Sequence, residues 1–148
     1  MSKLEAFLAR HQRIAVDTSV FIYLFEKNPK YEHLADRVFS WIRAPGNGAV
    51  TSTLTLTELL VKAIRDLAPG QVDDFRTLLG YLPNLEWIAP AEEIAALAAD
   101  FRVRYGFKTP DAIQAATAVN WGATRFVTND YQLGRIQEIE TILLDRLL

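Results

Sequence analysis

The chain has 148 residues, of which 50% are hydrophobic and 23% charged, with a formal net charge of −2. It contains no cysteine and only His11 and His33, so disulfides and thiolate metal sites are excluded and a structural zinc site lacks its usual ligands. Any metal has to be a hard cation held by carboxylates. The small negative charge argues against broad electrostatic adhesion to nucleic acid and leaves room only for a local grip.

No apolar run approaches the roughly 20 residues a membrane span needs. Glu5 and Arg10 interrupt the amphipathic beginning, which therefore does not read as a signal peptide. The expectation is a single cytoplasmic domain over residues 1–148, without membrane association, carrying a short helical extension over residues 1–12.

In chain order, residues 3–11 predict a leading helix with Leu4, Phe7 and Leu8 on one face. A buried strand follows at 13–17, then a helix over Val20–Phe25 behind the cap-type residues Thr18 and Ser19. Asn28-Pro29 breaks the chain before a helix from Tyr31 to Arg43. Ala49–Thr53 is the second strand, Leu56–Leu67 the next helix, and Ala68-Pro69-Gly70 a further break. Val72–Tyr81 is helical, Leu85–Ile88 a third strand and Ala91–Arg104 a helix that Gly106 ends. Pro110–Trp121 is helical, and Thr124–Thr128 and Thr141–Leu144 are the last strands. Strands alternating with helices predict an α/β fold with a central, mainly parallel sheet covered on both faces.

Four acidic residues sit at the junctions. Asp17 follows the first strand, where an Asp also serves as a helix cap. Glu58 closes Thr55-Leu-Thr-Glu58, which has the form of a capping box. Asp111 follows Thr109-Pro110, a favourable helix start with Thr as its cap. Asp130 follows the fourth strand in an Asn-Asp turn. Each has an ordinary structural use. Together they matter more, because a parallel sheet gathers such junctions at one edge, where ligands bind. Two unit charges about 4 Å apart repel by roughly 4 kcal/mol at an effective dielectric near 20. A divalent cation would offset that repulsion, so convergence of the four predicts a Mg²⁺ or Mn²⁺ site. His11 and His33 read as surface residues, and no Gly-rich phosphate loop or Ser-His-Asp set occurs.

The segments Val-Asp17-Thr-Ser-Val-Phe, Thr-Leu-Thr-Glu58-Leu, Thr-Pro-Asp111-Ala-Ile-Gln-Ala-Ala and Val-Thr-Asn-Asp130-Tyr stand in the order of a PIN domain. From about Ile14 onward the chain resembles the VapC-type ribonuclease toxins of toxin–antitoxin pairs. The resemblance implies a three-layer α/β/α domain and Mg²⁺- or Mn²⁺-dependent cleavage of RNA. Its acidic positions match Asp17, Glu58, Asp111 and Asp130, with Thr18 or Ser19 as the neighbouring hydroxyl and Asn129 as the polar neighbour of the fourth acid. It further implies a homodimer silenced by an antitoxin whose C-terminal segment wraps the active-site groove. The segment before Arg13 departs from the family pattern. Arg102, Arg104 and Lys108, just ahead of Asp111, are candidates for holding flanking phosphates, or else form a solvated helix end.

Other readings differ in class. A haloacid dehalogenase-type phosphohydrolase wants a second Asp two positions after Asp17, where this chain has Ser19. A receiver domain wants a lysine after a late strand, and Thr128-Asn129-Asp130 has none. An RNA-processing nuclease without an antitoxin, or a non-catalytic PIN-like RNA-binding module, would keep the fold and change the role.

Overall fold

Successive side chains of a strand point to opposite faces, so a strand covered on both sides needs apolar residues throughout. The computed structural model, which describes residues 2–9 and 13–148, shows this pattern in the central strands. In β1 (Arg13–Val16), Ile14 and Val16 enter one hydrophobic cluster and Ala15 the other. β2 (Gly48–Ser52) divides Ala49 from Val50, and β4 (Arg125–Thr128) divides Val127 from Phe126, in the same way. With β3 (Leu85–Ile88) and β5 (Glu140–Leu143), these strands form a wholly parallel five-stranded sheet in the order β3-β2-β1-β4-β5.

Five helices cover the first face: α1 (Lys3–Leu8), α2 (Thr18–Phe25), α3 (Glu32–Arg43), α4 (Thr53–Asp66) and α5 (Pro69–Gly80). The second face carries α6 (Glu92–Tyr105) and α7 (Thr109–Trp121). The result is the expected three-layer α/β/α arrangement, with an all-parallel sheet. In α3 the buried residues Leu34, Val38 and Ile42 recur at helical spacing, and Phe39 meets Phe21 edge-on at 5.0 Å. Truncating a buried Phe such as Phe21 typically costs about 3–5 kcal/mol. On the other face, Ala112, Ala115, Ala116 and Ala118 keep α7 slim where it packs among α6 and the sheet.

Helix starts account for most differences from expectation. Ser52 caps α4 by accepting the Leu54 N–H at 3.1 Å, so Thr55 lies inside the helix and Thr55–Glu58 is not a capping box. The break expected at Ala68-Pro69-Gly70 instead opens α5, because proline at the first helical position sacrifices no hydrogen bond. There the Gln71 side chain accepts the Ala68 N–H at 3.0 Å. Lys108, not Thr109, occupies the cap position of α7. Gly106, at φ +73°, ends α6 in the left-handed conformation glycine favours.

The leading helix closes a capping box between Ser2 and Glu5 and buries Leu4 and Leu8 against the first cluster. Its expected extension over 10–12, including His11, lies outside the described residues, whereas His33 is exposed. Among the described residues, no helix is long and apolar enough to cross a membrane.

Candidate active site

The sheet grows from β1 through β2 to β3 on one side and places β4 and β5 on the other. The strand order therefore reverses between β1 and β4, and a crevice opens at their C-terminal ends. Asp17 stands there in extended conformation, its N–H donating to the Val127 carbonyl at 3.0 Å. Its Oδ1 accepts the Thr18 N–H at 2.9 Å and its Oδ2 accepts the Thr128 hydroxyl at 2.7 Å. Asp17 thus caps α2 and faces the crevice at once. It is only 8% exposed, and burial pushes its pKa up to about 6. The bonds from Thr128 and Thr18 oppose that rise, while Asp111 and Asp130 add to it.

Glu58 projects from the second turn of α4. Desolvation raises its pKa first and the Asp111 charge second, with the Thr18 hydroxyl opposing both. Asp111, third in α7, is raised by desolvation and then by Asp130, and Lys108 pulls it down. Asp130 is set by a local turn: its N–H donates to the Thr128 hydroxyl at 3.0 Å and its Oδ1 accepts the Gln132 N–H at 2.8 Å.

The four carboxylates line one cleft of about 610 Å³. Among the described residues none of them is in a salt bridge. Nor do three acidic or histidine side chains there converge tightly enough to hold an ion, so the carboxylates line the cleft without closing a cage.

Ser19 also lines the cleft, and its hydroxyl is buried with no hydrogen-bond partner among the described residues. An orphaned buried hydroxyl is costly and calls for a partner such as a water or a bound ion. Thr18 is engaged below: its hydroxyl lies 2.9 Å from that of Thr55, which in turn lies 2.7 Å from that of Thr51. The Gln114 amide donates to Thr55 at 2.8 Å and to Thr18 at 3.3 Å, tying α7 to α2 and α4. Of this buried layer the sequence pointed only to Thr18, and not to Thr51, Thr55 or Gln114 as its partners. The one signal of those partners was Gln114, one turn after Asp111 on the same face of α7.

Asn129 lines the cleft as well, but its amide is spent on structure. It donates to the Tyr23 hydroxyl at 2.9 Å and accepts the Asp145 N–H at 2.7 Å. The cationic candidates divide. Arg104 pairs with Asp100 at 2.7 Å and Glu138 at 2.9 Å, and Arg102 donates to the Phe107 carbonyl at 3.2 Å. Neither lines the cleft. Lys108 is close enough to Asp111 to act on its ionisation.

The family model for the PIN domain matches residues 14–139. The chain belongs to the PIN domain family. The match begins within β1 and leaves α1 outside it. Among solved structures, this PIN domain is similar to a toxin–antitoxin complex from Klebsiella pneumoniae, with 23% identity and a TM-score of 0.64 over 86% of this chain and 98% of that one. It is also similar to DNA-bound VapBC from Salmonella typhimurium, with 23% identity and a TM-score of 0.67 over 89% and 98%. A third likeness is to VapC20 of Mycobacterium tuberculosis, a Sarcin-Ricin loop cleaving toxin, with 18% identity and a TM-score of 0.63 over 86% and 98%. At these identities the likenesses concern the fold. No curated protein matches the sequence.

Proposed function

We propose that this PIN domain is a Mg²⁺- or Mn²⁺-dependent endoribonuclease acting as the toxin of a toxin–antitoxin pair. One observation carries the reading: carboxylates from four separate chain segments line a single cleft at the point where the strand order reverses. The donor set suits a hard divalent cation, being all oxygen. Asp17, with one hydrogen bond to each oxygen, is pre-oriented and keeps lone pairs for an ion.

Asp17, Glu58 and Asp111 would hold the ion, and Asp130 would complete the shell or orient the attacking water. Mg²⁺ usually keeps several of its waters and takes only one or two carboxylates directly, so the four acids need not all contact it. A divalent ion supplies Lewis-acid activation of water and offsets charge developing on the phosphoryl group. The Ser19 hydroxyl is the buried donor available to a phosphate oxygen. Gln114, Thr18 and Thr55 fix the spacing of the helices that carry the acids.

An antitoxin partner is supported by the shared fold of the toxin–antitoxin complexes and by a second feature. An apolar groove of about 320 Å³, lined by Ile22, Phe25, Leu59 and Phe75, abuts the acid cleft through Ile22. A helical antitoxin segment would lay its apolar face there and reach the cleft with a basic side chain. The deciding experiment is cleavage of RNA by the purified protein with Mg²⁺ or Mn²⁺ and with chelator. Cleavage is expected only with metal, and activity surviving rigorous metal removal would overturn the mechanism.

A further inference from the structure

The residues lining the acid cleft include no cationic side chain, so the lining itself gives a polyanionic strand no charge to grip. They do include one aromatic ring, Tyr131, which is 53% exposed. That ring is not loose. Its hydroxyl donates to Asp145 Oδ2 at 2.8 Å, and the Arg146 guanidinium lies over one face of the ring, 5.6 Å from its centroid. Asp145 is itself fixed, accepting the Tyr31 hydroxyl at 2.6 Å and donating its N–H to Asn129 at 2.7 Å. Ordering an exposed ring in advance removes the entropy cost of ordering it on binding.

We infer that Tyr131 is a stacking platform for a base of single-stranded RNA crossing the cleft, the base lying on the ring face opposite the Arg146 guanidinium, which is left to meet a flanking phosphate. The inference rests on the nuclease reading above. Stacking on an aromatic face needs no charge complementarity and tolerates any base, and it requires an unpaired strand whose bases can splay out. Arg146 suits the phosphate because, among the described residues, it is in no salt bridge. Lys30, by contrast, already pairs with Asp145 at 3.6 Å. The strand therefore leaves the acids over the C-terminal segment, away from Arg102 and Arg104.

The test is fluorescence anisotropy on the full chain in Ca²⁺, with labelled oligoadenylate, an abasic oligomer and duplex RNA of equal length, all checked intact afterwards. Tyr131→Leu should weaken oligoadenylate binding roughly ten-fold or more and leave abasic binding unchanged. Tyr131→Trp should keep the preference for oligoadenylate. Equal oligoadenylate binding by parent and Tyr131→Leu overturns the platform, as does equal loss of both oligomers or equally tight binding of duplex RNA. If the parent still cleaves RNA with Mg²⁺ in those cases, the nuclease reading stands and only this inference fails. A parent that neither binds nor cleaves RNA with any of Ca²⁺, Mg²⁺ or Mn²⁺ overturns both.

Discussion

The Thr128 hydroxyl donates to Asp17 Oδ2 at 2.7 Å across the β1–β4 seam, joining residues 111 positions apart in sequence. Thr128 Oγ1 also accepts the Asp130 N–H, so one buried hydroxyl orients two of the four acids. Thr128→Val keeps the shape and deletes both bonds. Leaving buried partners unpaired should cost about 1–3 kcal/mol of stability. Mg²⁺ affinity should fall roughly 10–100-fold, as when a metal ligand loses its supporting partner. Thr128→Ser should retain most of it. Calorimetric Mg²⁺ titration of the three proteins checks this, and equal affinities would remove Thr128 from the site.

Asp17 predicts a pH dependence of the metal-free protein. Its folded pKa of about 6 exceeds the ordinary 3.8 because its charge is desolvated. Between those values the folded state keeps a proton that the unfolded state releases, so stability falls as pH rises from about 4 to about 6 and then levels. The loss is on the order of 3 kcal/mol. Asp17→Asn can still accept the Thr18 N–H through its carbonyl, and removes the titration. In chelator, the difference between the two melting curves should open across that window, with the variant more stable above it. Adding Mg²⁺ at neutral pH should stabilise the parent more than the variant, and RNA cleavage by the variant should fall by orders of magnitude. A constant difference with equal Mg²⁺ shifts and equal activity would leave Asp17 as a helix cap alone.

Lys108 and Arg104 should separate in their response to salt. Lys108 acts on Asp111 at the cleft, whereas Arg104 is engaged by Asp100 and Glu138. Lys108→Ala should weaken RNA binding and reduce the slope of log affinity against log salt by about one. Arg104→Ala should leave that slope unchanged. The reverse pattern would place the phosphate track along α6.

A cognate antitoxin should insert an Arg or Lys among the four acids, replacing the cation's charge. The complex should melt higher than the free protein and cut no RNA. Phe75→Glu, in the apolar groove and away from the acids, should release inhibition while sparing cleavage. Metal-dependent cleavage by the saturated complex would sink this mode of silencing.

The sequence by itself determined the layers and the positions of the acids. Apolar runs of strand length, alternating with helical periodicity, permit little except a covered parallel sheet, and such a sheet carries its strand-to-helix junctions to one edge. Asp17, Glu58 and Asp130 were legible for that reason, each following a strand, while Asp111 opens α7, the helix that precedes β4. Tertiary structure decided what each junction residue does. Thr55-Leu-Thr-Glu58 satisfies the local rule for a cap, yet Ser52 starts the helix earlier and Thr55 turns inward to Thr18 and Gln114. Arg104 reads as a free cation until Glu138, 34 residues on, is folded against it. Local propensity acts over about one helical turn, so it can place a carboxylate at a junction. Which distant hydroxyl, amide or charge meets that carboxylate depends on strand order and burial, and these arise only when the whole sheet assembles.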